Sequence, residues 1–359
     1  MRLKQWFPLV VAVLCLWLPI GCAGYDLSRS AARNSAGAES SKNHPASESI
    51  KVLHYVSGKL GDKGFFDSAE RGIKKAQFVY GFETLTIEAD PKPAVRKSEL
   101  DKLAASETYD VIVVSGMMED VKELSGRYPK QRFIYYDGSI GGRPNVYTMR
   151  FSQSEGSFLA GAFAAMVTTS SSIKGTNPDK RIGFIGGMVG ETINDFKYGY
   201  EQGALYIDPD IQVIASYVGD FVNKGKAKEL AAMQYTSQKV DIIYNVAGLA
   251  GIGGLKAGHE AGKYTIGVDN NQNSLYPGSV LTSMLKNVDE SVFRALSKFR
   301  GGSLPFGGTE VLSIKEGGVG IARDELYEKY VPEQIKEEMK AIEFKIANGE
   351  IKVKSILAE

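Results

Sequence analysis

Residues Arg181 to Leu205, RIGFIGGMVGETINDFKYGYEQGAL, join a strand, a glycine turn and a helix in the order that open α/β folds use beside a ligand. Ile182, Phe184 and Ile185 supply the apolar run of a strand buried on both faces. Gly186 and Gly187 carry no Cβ, so the backbone there turns tightly and approaches a bound molecule closely. From Glu191 to Ala204 the spacing is helical, with Ile193, Phe196 and Tyr200 on one side. The stretch argues against a nicotinamide site. It lacks the G-x-G-x-x-G spacing, and no acidic strand end follows about twenty residues on.

The same alternation of strand and helix extends in both directions and predicts parallel sheets covered on both faces. Strands are expected at 51–57, 84–88, 111–115 and 133–137, with helices at 69–79, 98–105 and 119–128 between them, and 146–151 crosses out of this first unit. A second unit opens with a helix at 155–167. Its strands are expected at 182–185, 211–217, 242–245 and 264–268, and its helices at 193–205, 226–236 and 253–261. A strand at 280–285 and a helix at 289–299 follow. Two similar α/β units joined by more than one crossing describe a two-lobed clamshell of the type I periplasmic-binding-protein kind, closing on a small molecule. The competing arrangement is one nine-stranded sheet, a width that open twisted sheets seldom reach. The expected division is residues 50–151 with 287–330 as the first lobe and 152–286 as the second. Residues 331–359 are expected as a helix and strand packing across both.

The N-terminus indicates the compartment. Arg2 and Lys4 precede an apolar run from Trp6 to Ile20, too short for a bilayer span of about 20 residues but suited to a secretory signal over residues 1–21. The run ends in Pro19-Ile20-Gly21-Cys22, which resembles a bacterial lipoprotein box with lipidation at Cys22. Pro19 stands where such boxes usually carry Leu. Residues 22–49 are rich in Ser, Ala, Gly and Asn and read as a flexible tether. The expected location is the extracytoplasmic face of the cell membrane, held by lipid.

Composition narrows the partners. Loss of the signal removes Arg2 and Lys4, taking the basic count from 43 to 41 against 42 acidic residues, a net charge of −1. Without a basic stripe the chain is a poor nucleic-acid binder. Its two cysteines are Cys15, inside the signal, and Cys22, so the mature chain forms no internal disulfide and no thiolate zinc site. His44, His54 and His259 show no spacing that suits a metal or a Ser-His-Asp arrangement. No metal, no cofactor and no enzymatic step are expected, and the chain is read as a monomer.

The candidate site residues stand at strand ends and in the loops that follow. Asp137 and Asp269 end strands in FIYYD and TIGVD, where a carboxylate facing the cleft suits the vicinal hydroxyls of a ribose. Each also reads as a helix N-cap. Lys286 ends a strand that returns between the lobes, within reach of the same polyol or of a base carbonyl. Phe65 and Phe66 follow Gly64, and Phe221 precedes a helix. Rings at cleft edges offer flat faces to a base, each stack being worth about 1–3 kcal/mol. Neighbours in sequence seldom face one way, so one of Phe65 and Phe66 is expected in the core, and Phe196 reads as either core or cleft. Asp62, Asn245 and Gly248 complete the ligand-binding set.

Seven blocks carry a resemblance to a known family. They are GDKGFFDSAERG from Gly61, EGSFLAGAFAAMVT from Glu155, IGFIGGM from Ile182, GDFVNKGKAKELA from Gly219, IGVDNNQ from Ile266, LTSMLKNVD from Leu281 and VPEQIKEEMKAIEFKIANGEIKV from Val331. In this order they resemble the basic membrane protein (PnrA-like) family of ABC-transporter substrate-binding lipoproteins, whose best understood members are purine nucleoside receptors. The resemblance implies a lipoprotein that carries a nucleoside, purine above all, to ABC permease subunits. Two departures bear on the ligand. Many members read Asp-x-Ser-Phe-Asn where this chain has Asp62-Lys63-Gly64-Phe65-Phe66, and Glu70 stands where the family often has a further aromatic. The double phenylalanine is also similar to sugar-binding relatives of the clamshell, so a pentose is the alternative ligand, and a sensor that signals rather than transports is the alternative role. Cys22→Ser is expected to send the chain into the aqueous phase on detergent partitioning. A wild-type chain already found there would overturn the anchor.

Overall fold

The structure, a computed structural model, describes residues 49–357. The signal, Cys22 and all but the last residue of the tether lie outside the described residues. Elements are numbered in chain order. The first part runs β1 (Lys51–Val56), α1 (Phe65–Tyr80), β2 (Glu83–Glu88), α2 (Pro93–Ala105), β3 (Val111–Val114), α3 (Met118–Arg127), β4 (Arg132–Tyr136) and β5 (Val146–Phe151). The second runs α4 (Gln153–Thr169), β6 (Arg181–Gly186), α5 (Glu191–Ile207), β7 (Gln212–Tyr217), α6 (Lys224–Thr236), β8 (Ile242–Val246), α7 (Gly248–Glu260), β9 (Tyr264–Asp269) and β10 (Val280–Lys286). The last part holds α8 (Val288–Arg300), β11 (Thr309–Leu312), β12 (Val319–Ile321), α9 (Glu325–Tyr330) and α10 (Glu333–Ala347).

These strands form two six-stranded sheets, ordered β11-β5-β4-β3-β1-β2 and β12-β10-β9-β8-β6-β7. The order repeats from one sheet to the other, so the chain holds two copies of one α/β plan rather than a single wide sheet. All neighbouring strands run parallel except β12, which lies antiparallel to β10. A parallel sheet needs cover on both faces, and the strand sequences supply it. In β1, Val52 joins one apolar cluster while Leu53 and Tyr55 join another on the opposite face. In the second sheet Phe184 and Ile185 divide in the same way.

Several expected boundaries shift. Residues 146–151 form the fifth strand of the first sheet, and the crossing comes after it. The stretch 287–330 is split, because α8 packs on α1 and β11 joins the first sheet, whereas β12 joins the second. The chain therefore crosses three times, at 151–153, 286–288 and 312–319. Backbone bonds tie these crossings together, Ser152 N–H to Leu312 O and Asn287 N–H to Gly318 O, both at 2.9 Å. Among the described residues no strand forms after α10. That helix packs on α4, and the following run lies along α5, where Asp195 accepts from Ser355 Oγ (2.8 Å) and Ile356 N–H (2.9 Å).

In the second lobe α4 and α5 pack backbone against backbone. A Cβ on Gly161 would stand 1.9 Å from Tyr200 O, and one on Gly203 would stand 1.9 Å from Phe158 O. The two helix backbones thus touch where both chains lack a side chain, and neither oxygen can move without unseating its helix. Since α5 also carries Phe196, this contact sets the height of a cleft wall. Gly203→Ala is expected to cost about 3 kcal/mol or more, because a methyl group there forces the helices apart. Urea unfolding measures it, and a loss under about 0.5 kcal/mol would show that the helices separate freely.

Candidate ligand-binding site

In each sheet the strand order reverses between the first and third strands of the repeat, β1 and β3 in one and β6 and β8 in the other. Open α/β folds bind ligands outside the carboxyl ends of strands at such points. The two strand-end aspartates occupy matched places there. Asp137 directly follows β4 and Asp269 ends β9, the fourth strands of the two repeats, and both have left-handed backbone, with φ of 69° and 65°. Non-glycine residues seldom adopt that conformation, aspartate among the more tolerant, and such outliers gather at ligand sites.

Lys286, the last residue of β10, joins the lobes. Its Nζ donates to Asp137 Oδ1 at 2.6 Å, and its side chain is 2% exposed. Three rings surround the ammonium: Phe196 at 5.2 Å, Phe151 at 5.3 Å and Phe65 at 5.4 Å from the ring centroids. Phe65 and Phe151 come from the first lobe and Phe196 from the second, so both lobes build the cage. Contacts of this kind gain strength when water is excluded. Phe151 was not among the expected residues, since an apolar strand end reads as core. Internal repetition marks it, because Phe151 ends β5 as Lys286 ends β10.

Asp269 completes the centre. It is 9% exposed, and among the described residues no donor hydrogen-bonds its carboxylate. Its Oδ2 would lie 3.4 Å from a Cβ on Gly64, so the second lobe's carboxylate rests against the first lobe's loop. Burial pushes its pKa up to about 7; the Lys286 ammonium opposes the rise, and the charges of Asp62 and Asp137 add to it. An acceptor that is buried and unbonded is costly in the protein alone, and it is the group on which a hydroxyl donor gains most.

The other expected residues divide between the cleft and its supports. Asp62 accepts the backbone N–H groups of Gly64 (3.0 Å), Phe66 (2.9 Å) and Asp67 (3.1 Å), so its carboxylate secures the start of α1; burial nonetheless raises its pKa. Phe65 packs on Tyr136, with centroids 5.3 Å apart, while Phe66 meets Phe65 edge-on at 76° and covers Gly58. Neither ring lies in the buried core, where one of the two was expected; both are half-buried and their centroids are 5.1 Å apart, with Phe65 at the edge of the core. Phe196 is buried in the core and still reaches the ammonium, combining both of its readings. Phe221 is 40% exposed at the lip of the second lobe, lying over Gly187 and beside Gly248, whose φ is 53°. Asn245 is not brought to the cluster. It is 1% exposed, its amide N–H donates to Ile243 O and Thr265 Oγ1, and its Oδ1 is covered by Gly254 of α7. Glu70 turns away from the cleft as well, holding His54 Nδ1 and the Thr86 hydroxyl, each at 2.8 Å. Among the described residues no group of three or more His, Cys, Asp or Glu side chains could hold a metal ion, and no helix is long and apolar enough to cross a membrane.

Comparison with known proteins agrees with this fold. Residues 49–354 match the family described as ABC transporter substrate-binding protein PnrA-like. Basic membrane protein A1 of Borrelia garinii subsp. bavariensis is 32% identical over 324 residues, 87% of this chain and 90% of that protein. Basic membrane protein A of Borreliella burgdorferi is 32% identical over 327 residues, covering 88% and 91%. Among solved structures, a solute-binding protein of an ABC transporter system from Aeropyrum pernix K1 superposes with a TM-score of 0.79 at 27% identity, over 86% of this chain and 94% of that one. With two repeated sheets and sequence agreement through both lobes, this chain belongs to the PnrA-like family of ABC transporter substrate-binding proteins.

Proposed function

We propose that the chain binds a nucleoside, a purine nucleoside by preference, between its lobes and delivers it as a lipid-anchored protein to the permease subunits of an ABC importer. Membership of the family already makes it an extracytoplasmic substrate-binding protein for a small molecule, a class defined by binding rather than catalysis. The proposal adds the ligand and the anchor. The observation that carries the ligand is the convergence of Asp137, Asp269 and Lys286 within a cage of three phenylalanine rings.

The chemistry of that cluster supports a nucleoside. A carboxylate accepts two parallel bonds from vicinal hydroxyls, which a ribose offers, and aromatic walls offer faces to the base. Asp62, Asp137 and Asp269 outnumber the one ammonium among them, so the site favours a neutral solute over a phosphorylated one. A phosphate about 6 Å from a carboxylate meets a repulsion of about 3 kcal/mol per charge pair at an effective dielectric of about 20. The pentose alternative started from the paired phenylalanines, and their edge-on arrangement gives it no parallel sandwich.

Two experiments test the reading. Asp269→Ala is expected to weaken nucleoside binding by roughly ten- to a hundredfold, as loss of a charged hydrogen-bond partner does, and the wild type should bind the 5′-monophosphate at least about a hundredfold more weakly than the nucleoside. Calorimetry with inosine, guanosine, inosine monophosphate and ribose decides it. Equal affinities in the two proteins would remove Asp269 from the site, and tight ribose binding alone would transfer the case to the sugar.

The second experiment uses the raised pKa of Asp269. Because the folded state favours its neutral form, its stabilising contribution is full below the ordinary value of 3.8 and is lost as pH rises to about 7. Asp269→Asn stays neutral throughout. The variant's Tm should therefore gain on the wild type between pH 4 and 7 and hold a constant lead above about pH 8. A difference independent of pH would show that the carboxyl is hydrated in the folded protein.

A further inference from the structure

Beside the ligand cluster, a second set of polar contacts joins the lobes without reaching the cleft centre. Asn270 directly follows Asp269, and its side-chain amide works in both directions. Its Nδ2 donates to Gly64 O at 2.6 Å, and its Oδ1 accepts from Arg71 Nη2 at 2.6 Å. Gly64 and Arg71 stand at the start of α1 and within it, in the first lobe, whereas Asn270 extends the end of β9 in the second. Gln272 adds a longer bond, Nε2 to Lys63 O at 3.3 Å.

Arg71 is placed in advance by its own lobe. Asp289, at the start of α8, accepts from its Nε (3.2 Å) and Nη2 (2.9 Å), and Ser68 Oγ accepts a further bond at 3.2 Å. Ser68 Oγ in turn accepts the Asp289 N–H at 3.1 Å, which ties α1 to α8. Every partner of Arg71 among these except Asn270 therefore moves with the first lobe. The Arg71 side chain is 51% exposed, so water can replace the Asn270 bond when the lobes part.

We propose that Asn270 and Arg71 form a latch that holds the closed lobes together and sets how long a ligand stays, although neither residue touches it. The inference rests on the clamshell reading above and assigns the pair a role in residence time rather than in recognition. A charged donor and a two-way amide make a bond strong enough to slow opening, and exposure keeps it weak enough to release. Because Asn270 is the next residue after Asp269, movement of the site carboxylate is passed to the latch through a single peptide unit.

The test separates the latch from the nucleoside assignment. Asn270→Ala and Arg71→Gln would be made in the mature chain bearing Cys22→Ser, with paired cysteine spin labels at Lys92 and Val222, exposed positions on the two lobes. Without any ligand, both variants should show a smaller population at the short interlobe distance than the otherwise identical chain. With inosine as probe, stopped-flow mixing should show dissociation faster by roughly tenfold, association changed by less than twofold, and an unchanged preference among nucleosides. Identical distance distributions in variant and parent would overturn the latch, as would a loss of affinity that lies in association alone. Failure of the parent to bind inosine would remove the nucleoside reading and leave the distance measurement to decide the latch.

Discussion

A lysine ammonium withdrawn from water needs compensation, and most of this molecule's arrangement near the cleft supplies it to Lys286. Burying a charge of this size costs several kcal/mol even after the protein relaxes. One carboxylate at 2.6 Å, a second nearby and three ring faces offset that cost, and they come from both lobes. Neither lobe alone surrounds the ammonium. Both lobes contribute to that environment in this structure, so the pair Asp137–Lys286 couples their relative placement to electrostatics. An ion pair in this setting contributes little net stability, but removing one partner leaves the other stranded, which fixes how the two halves must meet.

Repetition explains how such a centre arises from simple parts. Each sheet ends its fourth strand in an aspartate with left-handed backbone and its fifth in the residue that leads into a crossing, Phe151 in one case and Lys286 in the other. When the two copies face each other, the four residues come together about the approximate symmetry between them. The acids are alike, while the strand-end pair has diverged into a ring and a cation. That difference turns a symmetric frame into one with two chemically distinct ends.

Much of this was legible in the sequence because it depends on local spacing. Apolar runs of four to six residues alternating with helical periodicity located the strands of both sheets up to β10, and the strand-end aspartates followed from placing FIYYD and TIGVD at sheet edges. What was not legible depends on long-range pairing. β11 and β12 are short and flanked by glycines, and which sheet each joins is set by the path of the chain rather than by composition. Asn245 misled because a polar strand end looks like a cleft residue until helix α7 is placed over it. Phe151 was missed for the converse reason, since nothing in its own neighbourhood distinguishes a cage wall from ordinary core. Glu70 departs from the family's aromatic at that place and is accounted for by His54 on β1 and Thr86 on β2, each sixteen positions away in sequence.

The three crossings between the lobes, bonded to one another at Ser152–Leu312 and Asn287–Gly318, have a mechanical meaning. A single strand of polypeptide is a swivel, free to twist and slide as well as bend. Three strands side by side behave as a plate hinge, stiff to torsion and shear and compliant about one axis. The lobes therefore have in effect one coordinate, an opening angle, and each closure returns the same atoms to the same partners. A partner that contacts both lobes would read that angle first, since twist and shear are the motions the paired crossings resist.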